Sequence, residues 1–186
     1  MHKLFLTGFM GSGKTTLGKA FARACDYSFV DLDEYTERRA NQSLSSLFVE
    51  RGEEAFRFLE HSMLREVIES SYVVIATGGG TPCFFDNMEL MNRAGTTVFL
   101  DVPIERILLR LRLYPNERPM VVGKTDEALS AFVRDRLNER LPYYRQAQLV
   151  FAADRLENEE QINQSVQQLR ALIKNATDSR RSHPLF

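Results

Sequence analysis

Only two cysteines, Cys25 and Cys83, occur in 186 residues, too few for a disulfide framework or a cysteine-held metal cluster. They read as reduced packing residues of a cytoplasmic protein. Neither sign of charge predominates, because 24 basic residues against 25 acidic ones leave a formal net charge of -1. Without a global basic field there is no electrostatic case for nucleic acid or an anionic membrane as a partner. Any positive charge that function needs must be concentrated in a site. No apolar run approaches the ~20 residues of a membrane helix. The opening MHKLFLTGF is too short for a signal peptide and lacks its cleavage-site pattern. Internal repeats and linker-like stretches are also missing, so the chain is read as a single domain large enough for a core without staples.

What is present is an alternation of strands and helices. KLFLTG reads as a strand and GKTTLGKAFARACD as a helix; YSFVDLD is a second strand. The stretch DEYTERRANQSLSSLFVERGEEAFRFLEHSMLREVIES is helical, with breaks near Ser43 and Gly52. YVVIATGGG and TTVFLDVP are continuous apolar strands, the pattern of strands buried on both faces. The helix IERILLRLR, the polar segment LYPNERPMVVGKTDEA, the helix LSAFVRDRLNERL, the strand AQLVFAAD and the helix NEEQINQSVQQLRALIKN complete the order. Five strands alternating with helices imply a five-stranded parallel sheet in a three-layer α/β/α fold. The domain is placed at residues 1–175. The last stretch, ATDSRRSHPLF at 176–186, has no period and is expected to be a flexible tail.

The run from Gly8 to Thr15, GFMGSGKT, fits G-x-x-x-x-G-K-[ST] and sits between a strand and a helix, as a phosphate-binding loop must. Its glycines, Gly11 and Gly13 among them, let the backbone curl so that N–H groups around Ser12 and Thr16 converge on phosphate oxygens. The helix start adds partial positive charge. Lys14 supplies a full charge to the β- and γ-phosphates, and the Thr15 hydroxyl is suited to Mg²⁺. ATP and Mg²⁺ are therefore the expected cofactors.

Asp31 and Asp33, two apart at a strand end, should project to one face about 6.6 Å apart along the strand. At the ligand edge of a parallel sheet, one would hold Mg²⁺ through water and the other would accept a hydrogen bond or proton from an acceptor hydroxyl. The purely structural alternative has Asp33 capping a helix that begins at Glu34, with Asp31 a solvated strand end. In EEAFRFLEH, Arg57 and Glu60 are three apart and can pair on one helix face. The glycines of Thr77–Gly80 suit a place where something approaches the main chain closely. Arg118 lies in the polar segment, whose length suggests a lid over about 112–126 that brings an arginine to the transferring phosphoryl group. Farther on, spacing alone does not say which of Arg134, Arg136, Arg140 and Arg145 points inward.

Together, GFMGSGKTTLGKAFA, FVDLDEYTE, LFVERGEEAFRFLE, VVIATGGG, VFLDVPIE, ERP and RLPYYRQA resemble the shikimate kinase family in order and rough spacing, over about residues 4–150. The resemblance implies a P-loop kinase fold with a mobile lid and substrate-binding helices at about 34–62. It implies transfer of the ATP γ-phosphate to the 3-hydroxyl of shikimate, in the pathway to chorismate, by a monomer acting on a small molecule. It makes Lys14, Asp33 and Arg118 catalytic, Asp33 holding the shikimate hydroxyls, and assigns Asp31 to Mg²⁺ beside Thr15. Arg57 and Arg140 would grip the substrate carboxylate, Gly78, Gly79 and Gly80 would line its pocket, Phe48 and Phe56 would wall the ring, and Glu60 would orient Arg57. Arg110 would pack near adenine, with Arg112 open as the alternative because one extra residue separates Arg110 from Arg118. Asp154 and Arg155 are candidate nucleotide contacts in a segment that matches the family only loosely.

Two other readings use the same loop. A gluconate-type kinase would transfer to another acid but builds that pocket differently from Arg57, Arg140 and T-G-G-G. A nucleotide-binding switch that transfers nothing would not need Asp33, Arg57 and the glycine triplet together, and a guanine-specific GTPase would need an N-K-x-D segment that is not evident.

Overall fold

The structure is a computed structural model, and it describes residues 2–113 and 121–182. Its five strands are β1 (Lys3–Thr7), β2 (Ser28–Asp31), β3 (Val73–Ala76), β4 (Thr96–Asp101) and β5 (Leu149–Ala152). They form one sheet in the order β2-β3-β1-β4-β5, parallel throughout. The helices are α1 (Lys14–Cys25), α2 (Leu32–Ala40), α3 (Leu44–Ile68), α4 (Asn87–Ala94), α5 (Ile104–Leu113), α6 (Asp126–Tyr144) and α7 (Glu159–Ser182).

Alternation along the central strands divides the core into two layers. Leu4 and Leu6 of β1 and Val74 of β3 join Leu17, Phe21, Val98 and Leu169 on one side. Phe5, Val73 and Ile75 join Leu64, Met88 and Met91 on the other. This is the period-two geometry of a strand covered on both faces, and it gives the three-layer arrangement expected from the sequence.

Both predicted breaks in the long helical stretch are present. Ser43 caps α3, its Oγ accepting from the Ser46 N–H at 3.2 Å, and Glu37 Oε1 accepts the Leu44 N–H at 2.9 Å. Gly52 lies inside α3 at φ 77 and ψ 168, a conformation open essentially to glycine alone. It turns a short arm, 44–51, against the straight helix 53–68, so that Phe48 of the arm meets Phe56 at 4.1 Å between ring centroids.

Two expectations differ from the structure. Helix α4 and a 3-10 turn at Thr81–Cys83 fill a segment for which no element was read; α4 has only eight residues, too few for a period to declare itself. At the other end, the lost period at Ala176 does not end the last helix, which continues to Ser182. Ile173 is the last core residue of α7. Beyond it the Thr177 and Ser179 hydroxyls donate to the carbonyls of Ile173 and Asn175, each at 2.9 Å. The loss of period marks where the helix leaves the core.

An added Cβ at Gly52 would meet no atom within 4 Å, so Gly52→Ala tests the backbone alone. Urea unfolding is expected to show a loss of about 1–3 kcal/mol. A change inside the roughly ±0.5 kcal/mol of an ordinary surface substitution would mean that the kink relaxes freely.

Candidate active site

The phosphate loop curls out of β1 with Gly8, Gly11 and Gly13 at φ 138, 76 and 90, positive values that an L side chain resists. No side chain caps α1, whose first helical hydrogen bond runs from the Leu17 N–H to the Gly13 carbonyl at 2.9 Å. Lys14 folds back over the loop, its Nζ donating to the carbonyls of Gly8 and Phe9 at 2.9 and 3.0 Å. The Ser12 hydroxyl is buried without a hydrogen-bond partner among the described residues. An uncapped helix start, a cation that donates to the carbonyls of its own loop, and an orphaned hydroxyl fit a phosphate chain. Beneath the loop lies a cleft of about 810 Å³ whose walls include Lys14, Thr15, Thr16, Asp31 and Asp33.

Asp31 does two jobs there. Its Oδ2 accepts the Thr15 hydroxyl at 2.7 Å, while its Oδ1 takes the N–H groups of Asp33 and Glu34 at 3.1 and 3.5 Å as the cap of α2. This corrects the geometry read from sequence, because the strand ends at Asp31 and the helix begins at Leu32. Asp33 therefore reaches the cleft by rotation of the first helical turn and not by strand alternation, and the cap is Asp31. The Asp33 carboxylate meets the glycine strip: a Cβ on Gly78 would lie 2.6 Å from its Oδ1. No group of three or more His, Cys, Asp or Glu among the described residues is arranged to hold a metal ion.

Behind that strip lies a buried cation. Arg57 is 7% exposed and Glu60 2%, joined from Nη1 to Oε2 at 2.8 Å. The other edge of the guanidinium, Nη2 and Nε, is engaged by Glu53 Oε1 at 3.2 and 3.4 Å. Aromatic rings enclose it, the Phe84, Phe56 and Phe48 centroids lying 4.3, 5.0 and 5.5 Å from the guanidinium carbon. A Cβ on Gly80 would fall 2.6 Å from Arg57 Nη2, so a side chain here would force the guanidinium to shift. Arg140 approaches the same strip, its Nη1 being 3.4 Å from a Cβ placed on Gly79. Arg136 instead pairs at the surface with Glu139 at 3.0 Å.

Of the three glycines, Gly79 lines the main cleft with Asp33 and Thr77. Arg57 faces a second hollow of about 400 Å³, bounded by Glu53, Glu54, Phe58, Phe84 and Phe85. On the nucleotide side, Arg110 donates to the Gly11 carbonyl at 3.1 Å and to the carbonyls of Ala153 and Asp154, each at 3.4 Å. Arg112 pairs with Asp126 at 2.8 Å, so Arg110 is the one that joins the phosphate loop to 153–157. Arg118, and with it the middle of the expected lid, lies outside the described residues. Four residues that sequence reading did not single out also build the site: Glu53, Thr81, Phe84 and Tyr144. Glu53, four before Arg57, and Tyr144, four after Arg140, left a helical-spacing signal.

Burial pushes the Cys83 thiol up to about 11, against the opposing pull of Arg140 and Arg57; it stays a neutral packing group. The Tyr144 phenol is likewise raised well above its usual value, chiefly by burial, and donates to the Gly79 carbonyl at 2.6 Å. From about pH 10 upward the unfolded chain therefore ionises before the folded one, and stability falls as pH rises. Denaturant titrations between about pH 8 and pH 11 should show a decline in the natural protein that is shallower in Tyr144→Phe. Equal slopes would remove Tyr144 as its source.

The family model for shikimate kinase matches residues 10–170. Shikimate kinase of Bacteroides fragilis (strain ATCC 25285) is 55% identical over 173 residues, spanning 93% of this chain and 97% of that protein. The 1.7 Å crystal structure of shikimate kinase from Bacteroides thetaiotaomicron aligns with a TM-score of 0.91 at 53% identity, covering 92% of this chain and 98% of that one. Shikimate kinase from Acinetobacter baumannii, solved in complex with shikimate, aligns with a TM-score of 0.82 at 28% identity over 94% of each chain. The matched span carries Lys14, Asp31, Asp33, Arg57, the glycine strip and Arg140, and with that coverage the chain belongs to the shikimate kinase family.

Proposed function

We propose that the protein transfers the γ-phosphate of ATP to the 3-hydroxyl of shikimate, giving shikimate 3-phosphate and ADP. The observation that carries this reading is the meeting, along one glycine strip at the sheet edge, of Asp33, a phosphate loop and a buried arginine. A small acid with several hydroxyls needs a cation at one end and a carboxylate at the other. Arginine suits the cation because its fork meets a carboxylate through two parallel hydrogen bonds.

Each residue then has a defined task. Lys14 exchanges its carbonyl partners, Gly8 and Phe9, for β- and γ-phosphate oxygens. The N–H groups of Gly11, Ser12, Gly13, Thr15 and Thr16 and the Ser12 hydroxyl surround the phosphates. Thr15 and Asp31, already 2.7 Å apart, would hold Mg²⁺, Asp31 through water. Bound Mg²⁺ supplies neutralisation of the phosphate charge during transfer. Asp33 accepts a hydrogen bond from the attacking hydroxyl, orients it and is the candidate to receive its proton.

Arg57 and Arg140 grip the acceptor's carboxylate, the former by giving up Glu53, whose side chain is 61% exposed and can swing into solvent. Phe48 and Phe56 wall the ring, and Gly78, Gly79 and Gly80 let it approach the main chain. Arg118 would serve the transferring phosphoryl group, and Arg110 braces the adenine side. Catalysis is then mainly positioning and charge neutralisation with water excluded.

ADP release from MgATP is expected with shikimate and not with gluconate or other small polyol acids. Asp33→Asn should lower kcat by about 10²–10⁴ while ATP binding persists. ATP hydrolysis indifferent to every acceptor would overturn the kinase reading, and turnover with another acid would replace the substrate. Arg57→Lys keeps the charge and loses the fork, so KM for shikimate should rise at least about tenfold, equivalent to about 1.4 kcal/mol, with KM for ATP unmoved. An unchanged shikimate KM would take Arg57 out of the clamp.

A further inference from the structure

The pairing of Arg57 with Glu60 is the first link of a longer chain. Glu60 Oε2 receives Arg57 Nη1 at 2.8 Å, and its other oxygen, Oε1, receives the Thr81 hydroxyl at 2.6 Å. The Thr81 carbonyl accepts Asn87 Nδ2 at 2.8 Å, and Asn87 Oδ1 lies 2.7 Å from His61 Nδ1. Thr81 and Asn87 are both 0% exposed. The chain thus crosses from α3 to the 3-10 turn, on to the first residue of α4, and back to α3.

Its polarity is fixed along its length. Because Asn87 Nδ2 donates to Thr81, Oδ1 is its acceptor, so the network assigns the hydrogen to His61 Nδ1. The Thr81 hydroxyl also stands where two carboxylates converge. A Cβ on Gly78 would lie 2.6 Å from Asp33 Oδ1, 2.8 Å from Glu60 Oε1 and 2.9 Å from Thr81 Oγ1. With a donor on Oε1, Glu60 keeps its other oxygen on Arg57. Without one, Oε1 is a buried acceptor facing a second carboxylate, and the side chain gains a reason to rotate away.

We infer that Thr81 and Asn87 are positioning residues for the carboxylate clamp. Asn87 fixes the Thr81 main chain, Thr81 fixes the rotamer of Glu60, and Glu60 fixes the guanidinium of Arg57 in the orientation that receives the acceptor. The inference rests on Arg57 being the acceptor's clamp, as proposed above.

The test is steady-state kinetics on the full chain, with shikimate and ATP varied in turn and a thermal melt for each variant. Thr81→Val keeps the side-chain shape and removes the hydroxyl. It should raise KM for shikimate about tenfold, the scale of one hydrogen bond to a charged group, with KM for ATP unchanged and kcat changed far less. Thr81→Ser should restore the natural KM. Asn87→Asp, which retains Oδ1 but cannot donate to the Thr81 carbonyl while ionised, should shift the shikimate KM in the same direction. Two results would overturn the inference: an unchanged shikimate KM in Thr81→Val, or parallel losses in both KM values, kcat and melting temperature that serine does not rescue. Failure of Thr81→Val and Asn87→Asp alike to give folded protein would assign the chain to folding and overturn it too. A natural protein that does not turn over shikimate would instead remove the reading on which the inference rests.

Discussion

A guanidinium taken out of water must be paired, and Arg57 is almost wholly out of water. Leaving such a charge unmatched costs several kcal/mol, more than most single contacts contribute to a domain. The surroundings follow from that constraint. Glu60 supplies a buried counter-charge, and that carboxylate in turn needs a donor for its second oxygen, which Thr81 provides. Glu53 covers the remaining edge, and three phenylalanine rings offer their faces to the cation. Even the main chain complies, since Gly80 passes where any side chain would strike the guanidinium.

What brings this cluster to the phosphate loop is the sheet. In a parallel sheet the carboxyl ends of all strands open on one edge, and here the three neighbours β2, β3 and β1 end in Asp31, in the glycine strip and in the phosphate loop. No long-range design is needed to make Thr15 meet Asp31. Strand pairing puts Asp31 in register with Ala76 of β3, and Ala76 with Leu6 of β1, so loop and carboxylate emerge side by side. The arm of α3 then closes over the edge because Gly52 allows a turn that a continuous helix would forbid. Fold and site share the same few hinges.

The parts of this arrangement that are local in the chain were legible in the sequence. The phosphate loop is one continuous run, and Arg57 with Glu60 is an i, i+3 pair; both declare themselves by spacing. The breaks at Ser43 and Gly52 carry residue types with a known backbone preference. The relation of Asp31 to Asp33 was half legible, because two-residue spacing brings side chains together on a strand, whereas the chain turns into helix one residue after Asp31. Thr81, Phe84 and Asn87 left no mark, since their partners are 21 or more residues away or lie across a turn with no period of its own. Arg110 and Arg112 illustrate a different limit. Two positions apart on a helix they face nearly opposite ways, so a one-residue uncertainty in alignment decides between the loop and the surface, and only the fold resolves the phase.

Two cations of the site, Lys14 and Arg57, are already engaged by acceptors within the chain. Lys14 rests on two carbonyls of its own loop, and the outer edge of Arg57 rests on a carboxylate that is mostly in solvent. Neither bond is strong on balance, because neutral carbonyls are poorer partners than charged oxygens and an ion pair with one exposed member gains little. Their effect is to keep each charge satisfied and its side chain ordered before a ligand arrives. A phosphate or carboxylate then replaces a weaker acceptor and need not order a loose side chain. The gain per contact is smaller than for a bare cation, yet the entropy of fixing lysine and arginine has been met in folding. The inner partner of Arg57 is of the opposite kind, a buried glutamate tied to Thr81 that nothing displaces. Exchange is thus confined to the solvent-facing edge of Arg57, and the orientation of the fork is held from its buried side.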